Sequence, residues 1–337
     1  MRGDIIARRK GAKRRNKRDW TNLADEQAKA NLESFPDQDW SEYETEDEMF
    51  DGNHQKSIDK RLEKLDEAGS KFHWMKEKRY ARMFSEIEHK LTGALGKGEY
   101  DWVDRRVFDQ VFDQSTLMAI YKLMQQDHID TIEWPIARGK EAHVFHAKSQ
   151  SGPVAVKIFH TSNAVFKGLM QYIEGDPRFG GLRRRHRELV NVWVQKEHRN
   201  LMRMKKHGVR VPESLVTRKN VLIMEYLGDE NGPSPRLRDV DIENPKEAFE
   251  ILLEQLRIIW QDAGLAHGDF SEYNVLIHKG EPWIIDAGQA VVQHHPKAKE
   301  FLVRDITRLV QWANKNGVDV DLAESTLYVI EEKESPK

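Results

Sequence analysis

The feature that most constrains this chain is a change in the spacing of its apolar residues at Thr131. Upstream, Val107, Val111, Leu117, Ile120, Leu123 and Met124 recur at helical intervals, in a run starting near Asp104 with Ser115 and Thr116 as plausible caps. From Thr131 the period becomes two: Ile132, Trp134 and Ile136 alternate, Val144 and Phe145 follow in AHVFHA, and PVAVKIF is a run rich in β-branched residues. A helix buries a stripe and a strand buries a face, so the two segments cannot be one kind of element. The helical period returns over residues 182 to 206, stopped by His207, Gly208 and Pro212, and strands recur at 215–217 and 221–226. That order predicts a small sheet-based lobe. Beyond Gly228 the pattern is mostly helical. PKEAFEILLEQLRIIWQDAG places Phe249, Leu252, Leu253, Leu256, Ile259 and Trp260 on one face and closes at Gly264. NVLIH and PWIID read as short strands, and Phe301, Leu302, Ile306, Leu309, Val310 and Ala313 mark a final helix ending at Gly317. The class is α+β.

The N-terminal quarter is organised by charge. Arg2, Arg8, Arg9, Lys10, Lys13, Arg14, Arg15, Lys17 and Arg18 crowd the start, whereas residues 33 to 51 carry only acidic charges. Such blocks bury too little apolar surface to fold alone, so 1–55 is expected to be a disordered basic, then acidic, arm. A basic arm is also an electrostatic grip for phosphate backbones, which makes RNA a candidate partner. A helical extension is expected over 56–128, where Ile58, Leu62, Leu65, Phe72, Met75, Tyr80, Met83, Ile87 and Leu91 precede a break at Gly93, Gly96 and Gly98. The sheet lobe then covers 129–226 and the helical lobe 227–337.

Composition removes several classes. With 337 residues and 39% apolar content there is material for about two domains. Cysteine is absent, which excludes disulfides, thiolate catalysis and cysteine zinc sites. No apolar run approaches the ~18 residues of a membrane helix, and no apolar stretch follows the basic N-terminus, so a cytoplasmic chain with no membrane partner is expected. Lysine plus arginine (54) and aspartate plus glutamate (56) nearly cancel, so only the distribution of charge can point to a nucleic-acid partner.

The chemistry concentrates in three places. In ARGKEAHVFHA, Gly139 lets a turn between two strands approach a ligand, next to Lys140, and Lys157 lies inside the following strand. In HGDFSEYNVLIH, Asp269 and Asn274 precede a strand; an aspartate can accept a hydroxyl proton and an asparagine carbonyl can hold magnesium, the division of labour that phosphoryl transfer uses. In WIIDAGQA an apolar strand delivers Asp286 at its end, and a carboxylate there needs a partner, a bound cation being the natural one. Each signal is weak alone; together, with a strand lysine upstream, they are specific.

These residues resemble the RIO-type atypical serine/threonine protein kinases, in particular the type-one branch. The resemblance runs from about Phe108 to Gly317 and rests on STLMAIYKLM, GKEAHVFHA, WVQKEHRNLMRM, GVRVPES, VLIMEYLG, LAHGDFSEYNVL and IIDAGQAV. It implies a two-lobed protein-kinase-like fold truncated after the metal-binding strand. It further implies that Lys157 contacts ATP phosphates and pairs with Glu197, that Gly139 and Lys140 form the phosphate turn, and that Met224, Glu225 and Tyr226 form the adenine hinge, with backbone groups of Glu225 and Tyr226 bonding the base. Asp269 is then the catalytic base, Asn274 and Asp286 hold Mg2+ (or Mn2+), Asp286 itself can become phosphorylated, and His267 is structural. Pre-small-ribosomal-subunit particles and rRNA are the implied partners, with maturation of the small subunit as the implied setting. Where the family has Ser-Thr before GKEA, this chain has Ala137 and Arg138, so a hydroxyl contact to phosphate is lost and Arg138 is expected to substitute by charge. The insertion before Glu197 carries Arg178, Arg183, Arg184, Arg185 and Arg187, expected to be a flexible basic loop near the nucleotide. The 51 residues after Asp286 hold no APE segment, which favours ATP turnover over phosphorylation of many proteins. The alternatives are a small-molecule phosphotransferase of the aminoglycoside or choline type, which shares HGDxxxxN, and a non-catalytic nucleotide-binding assembly factor.

Overall fold

The structure is a computed structural model that describes residues 83, 86, 88–91, 111–139, 141–161, 170–176 and 186–331. The arm at 1–55, most of the extension at 56–128, Lys140, and Arg178, Arg183, Arg184 and Arg185 lie outside the described residues.

Helix α1 spans Gln114–Gln125. Its cap is Asp113, whose carboxylate accepts the Thr116 amide at 2.8 Å, so Ser115 and Thr116 sit inside the first turn and are not the caps expected from the sequence. Strands β1 (Thr131–Arg138), β2 (Ala142–Ser149) and β3 (Gly152–Phe159) follow, then helix α2 (His186–Lys206) and strands β4 (Ser214–Arg218) and β5 (Val221–Glu225). The five strands form one antiparallel sheet in the order β1-β2-β3-β5-β4. Alternation assigns its faces. Val154, Val156 and Ile158 of β3, with Val221 and Ile223 of β5, pack under Leu117, Ile120 and Leu123 of α1. Phe159 and Leu222 join the larger core that includes Trp193 of α2. Lys157, opposite Leu222 in register, therefore stands on the face turned away from α1 and toward α2.

The second lobe adds β6 (Gly228–Asp229), β7 (Gly232–Pro233), α3 (Pro245–Gln261), β8 (Leu265–Ala266), β9 (Val275–His278), β10 (Glu281–Ile284), β11 (Val291–Val292), α4 (Ala298–Lys315) and α5 (Leu322–Ile330). Asn244 caps α3 through the Glu247 amide, Pro245 occupies its first turn, and Gly264 just past its end adopts a φ of 61°. The stripe from Phe249 to Trp260 is buried, each such side chain contributing about 1.5–3 kcal/mol against exposure. The helix expected to be final is not: after Gly317, Asp321 caps the nine-residue α5, which packs on α3. Tyr328 donates to Glu254 at 2.6 Å and Arg257 to the Glu331 carbonyl at 3.1 Å. A helix that short, with little polar face to set its period, left no stripe to count. Among the described residues no helix is long and apolar enough to cross a membrane.

Candidate active site

Lys157 is the centre of the cleft between sheet and helices. Its ammonium donates to both oxygens of Glu197, at 2.7 and 2.9 Å, and to Asp286 Oδ1 at 3.1 Å. The Lys157 and Glu197 side chains are nearly enclosed, at 9% and 1% exposure, whereas Asp286 keeps 39% and opens to the cleft. Burial works against the charge on Lys157, but the two carboxylates outweigh it and raise its pKa. Burial pushes Glu197 up to about 7 despite the lysine. For Asp286 burial also pushes upward, yet the charge and hydrogen bond of Lys157 win and hold the carboxyl below its usual range. Asp286 is thus the ionised partner facing solvent. It lies two residues beyond β10 with a φ of 62°, a left-handed conformation that aspartate tolerates better than most residues.

Helix α2 fixes that segment with more than Glu197. Lys196, fully buried, donates to the carbonyls of Gly288 (2.7 Å) and Ala290 (2.6 Å), and Asn200 donates to those of Ala287 (2.8 Å) and Ala290 (2.9 Å). A Cβ on Gly288 would stand 3.0 Å from Trp193 Nε1 and 3.2 Å from Glu197 Oε2, so glycine lets the loop close onto the helix. Lys196 and Asn200 were not singled out from the sequence. Their signal was position, since a lysine and an asparagine at i+3 and i+7 from Trp193 lie on the buried stripe.

The neighbouring Asp269 loop is clamped by α4. Asp305, fully buried, accepts the amides of Gly268 (2.8 Å) and Phe270 (3.0 Å), Arg304 donates to the Gly268 carbonyl, and Arg308 donates to Asp269 Oδ1 at 2.8 Å. Burial raises the Asp305 carboxyl to about 7 against the pull of those amides. Asn274 Nδ2 donates to the Asp269 carbonyl at 2.8 Å and to its Oδ2 at 3.2 Å, which leaves the Asn274 amide oxygen as the atom suited to a cation. That oxygen and the Asp286 carboxylate are the hard donors magnesium prefers. His267 is enclosed, its basicity lowered by burial, and its Nδ1 accepts the Asp269 amide at 3.4 Å.

The remaining expectations meet mixed geometry. The Gly139 amide donates to Ala142 O at 2.9 Å, and a Cβ there would lie 3.1 Å from that oxygen, so glycine spares the turn a tight contact. Lys140 lies outside the described residues. Its neighbour Glu141, unremarked in the sequence, is pushed up to about 7 by burial and by Asp286. Arg138 is exposed at the end of β1. Met224 and Glu225 end β5 and Tyr226 follows; the Glu225 amide donates to Glu213 O at 2.8 Å. Of the two Glu225 backbone groups, only the carbonyl can serve an adenine.

Comparison with known proteins agrees with this architecture. A profile of the RIO domain matches residues 143–326. The Rio1 kinase of Haloferax volcanii is 45% identical over 217 residues, covering 64% of this chain and 74% of its own length. Rio1 of Methanocaldococcus jannaschii is 33% identical, covering 67% and 78%, and the human serine/threonine-protein kinase RIO1 is 36% identical, covering 65% and only 40%. In fold, the Rio2 kinase of Chaetomium thermophilum, solved as an ADP/Mg2+-phosphoaspartate complex, superposes with a TM-score of 0.52 at 20% identity, covering 66% of this chain and 68% of that one. The chain belongs to the RIO family of serine/threonine-protein kinases, on its Rio1-type branch.

Proposed function

We propose that this chain transfers the γ-phosphoryl group of magnesium-bound ATP by way of Asp286. The observation that carries this reading is Lys157 joined at once to Glu197 and to Asp286, whose segment is tied by the Ile285 amide to the carbonyl of Asn274, which in turn bonds Asp269. Glu197 holds the lysine extended so that its charge reaches the phosphates, and the hinge carbonyl of Glu225 takes the adenine edge. Magnesium, when bound by Asn274 and Asp286, neutralises charge on the phosphates. Asp269 orients the attacking or accepting group. In the covalent branch an Asp286 oxygen bonds to the γ-phosphorus, the bond to the β-phosphate oxygen breaks and ADP leaves; water then attacks the acyl phosphate, releasing inorganic phosphate and regenerating the carboxylate. Support comes from the ionised, cleft-facing Asp286 and from the phosphoaspartate named for the Rio2 complex.

Incubation with γ-labelled ATP tests the covalent step. The expected result is acid-stable label on the chain that hydroxylamine removes; label confined to hydroxylamine-resistant phosphoserine would leave plain autophosphorylation and remove the acyl phosphate. The RIO membership makes maturation of the small ribosomal subunit in the cytoplasm the setting we propose, with rRNA as a partner of the basic arm. Co-sedimentation with precursor particles checks it. The aminoglycoside-like alternative loses its footing to the family match.

A further inference from the structure

The loop that carries Asp269 contains no cation of its own: HGDFSEYN has neither lysine nor arginine. Phosphoryl transfer spreads negative charge over the transferring group, and an aspartate beside it adds more, so a positive group near the aspartate is an electrostatic requirement. Lys157 stands on the other side, committed to Glu197 and Asp286. The cation beside Asp269 comes instead from α4. Arg308 Nη1 lies 2.8 Å from Asp269 Oδ1 and 3.4 Å from the Phe270 carbonyl. Both side chains of the pair remain partly open, at 37% for Arg308 and 33% for Asp269, so the guanidinium is not sealed in the core. Arg304 and Asp305, earlier on the same helix, bond the backbone on either side of Asp269 and fix the height at which Arg308 meets it. The other carboxylate oxygen takes Asn274 at 3.2 Å and Gln289 at 3.4 Å, so Arg308 is the charged member of a set that holds both oxygens.

We propose that Arg308 is a positioning residue for phosphoryl transfer: it supplies from α4 the cation that the Asp269 loop lacks, aiming the carboxylate at the reacting group and offsetting the charge gathered there. The proposal rests on Asp269 serving the reaction. A charge that matters chiefly once the phosphoryl group is in flight affects kcat more than nucleotide affinity.

The test measures Mg-ATP turnover and, separately, equilibrium ATP binding for Arg308→Ala, Arg308→Lys and Asp269→Asn in the full chain. The expected result for Arg308→Ala is a fall in kcat of about 100-fold, as for loss of one preorganised donor, with an ATP Kd within about threefold of the parent. Arg308→Lys should recover part of the loss, since it restores charge without the planar fork. Adding Arg308→Ala to Asp269→Asn should lower kcat no further. An Arg308→Ala protein with parental kcat overturns the proposal, as does loss of ATP binding in step with kcat, which would mean that the arginine only holds the loop together. If Asp269→Asn keeps full turnover, the role of Asp269 itself falls and Arg308 with it; if only Asp269→Asn is inactive, the site stands and Arg308 alone is dismissed.

Discussion

At the scale of single residues, the site works by setting one lysine between two carboxylates of unequal exposure. Glu197 is enclosed and serves as an orienting partner, whereas Asp286 is ionised and open. On the proposed reading, removing the lysine takes one charge-assisted contact from the phosphates, worth about 1.5–3 kcal/mol. Lys157→Ala should therefore raise the ATP dissociation constant about 10- to 100-fold in a binding titration; parental affinity would detach the lysine from the nucleotide. His143 makes a second residue-scale prediction. It bonds His160 at 3.0 Å beneath the Gly139 turn, and burial, with His160 and Arg138 nearby, lowers its pKa to about 4. The unfolded ring takes up a proton near pH 6.5 and the folded ring does not until about pH 4, so stability falls as pH drops through that window and is unaffected above it. Denaturation of His143→Gln and the parent across pH 4 to 7 should show the parent losing stability relative to the variant on the acid side. Parallel curves would contradict the buried neutral ring.

At the scale of elements, α2 and α4 do the same job on two adjoining loops. Each presents polar side chains from inside its buried stripe to the backbone of a loop: Lys196 and Asn200 to 287–290, Arg304 and Asp305 to 268–270. Lys196→Met would leave the Gly288 carbonyl short of a buried donor, at about 1–3 kcal/mol before relaxation, and Ala290 O with Asn200 alone. The expected outcome is a loss of roughly 2 kcal/mol or more by chemical denaturation together with weaker turnover, because Asp286 hangs on the loop that slackens. A variant as stable and active as the parent would make the strap incidental. These clamps explain what the sequence hid. Lys157, Asp269, Asn274 and Asp286 stood out because their residue types at strand ends have chemistry in common. Lys196, Asp305 and Arg308 lie in helices where charge reads by default as the solvent side; only Lys196 and Asp305, the latter next to Ile306 and four from Phe301 and Leu309, had a place in the apolar stripe to distinguish them.

At the scale of the molecule, the sheet lobe and the helical lobe followed from one change of period and its return, and alternation places Lys157 on the face of β3 opposite Val156 and Ile158. What the pattern could not give was contact made by short or polar segments: α5 beyond Gly317, the paired dipeptides of β8 and β11, and the Glu225 amide consumed by Glu213. Hydrogen bonds between backbone groups carry no residue signature, so they appear only in three dimensions. The proposed mechanism turns on Asp286 as the ionised group at which metal and phosphate meet. Its most direct test is Mg2+-dependent release of phosphate from γ-labelled ATP by the parent and by Asp286→Asn, a near-isosteric change, with folding checked by the denaturation midpoint. Loss of turnover in a variant with a parental midpoint is the predicted result; undiminished turnover at saturating magnesium would contradict the account.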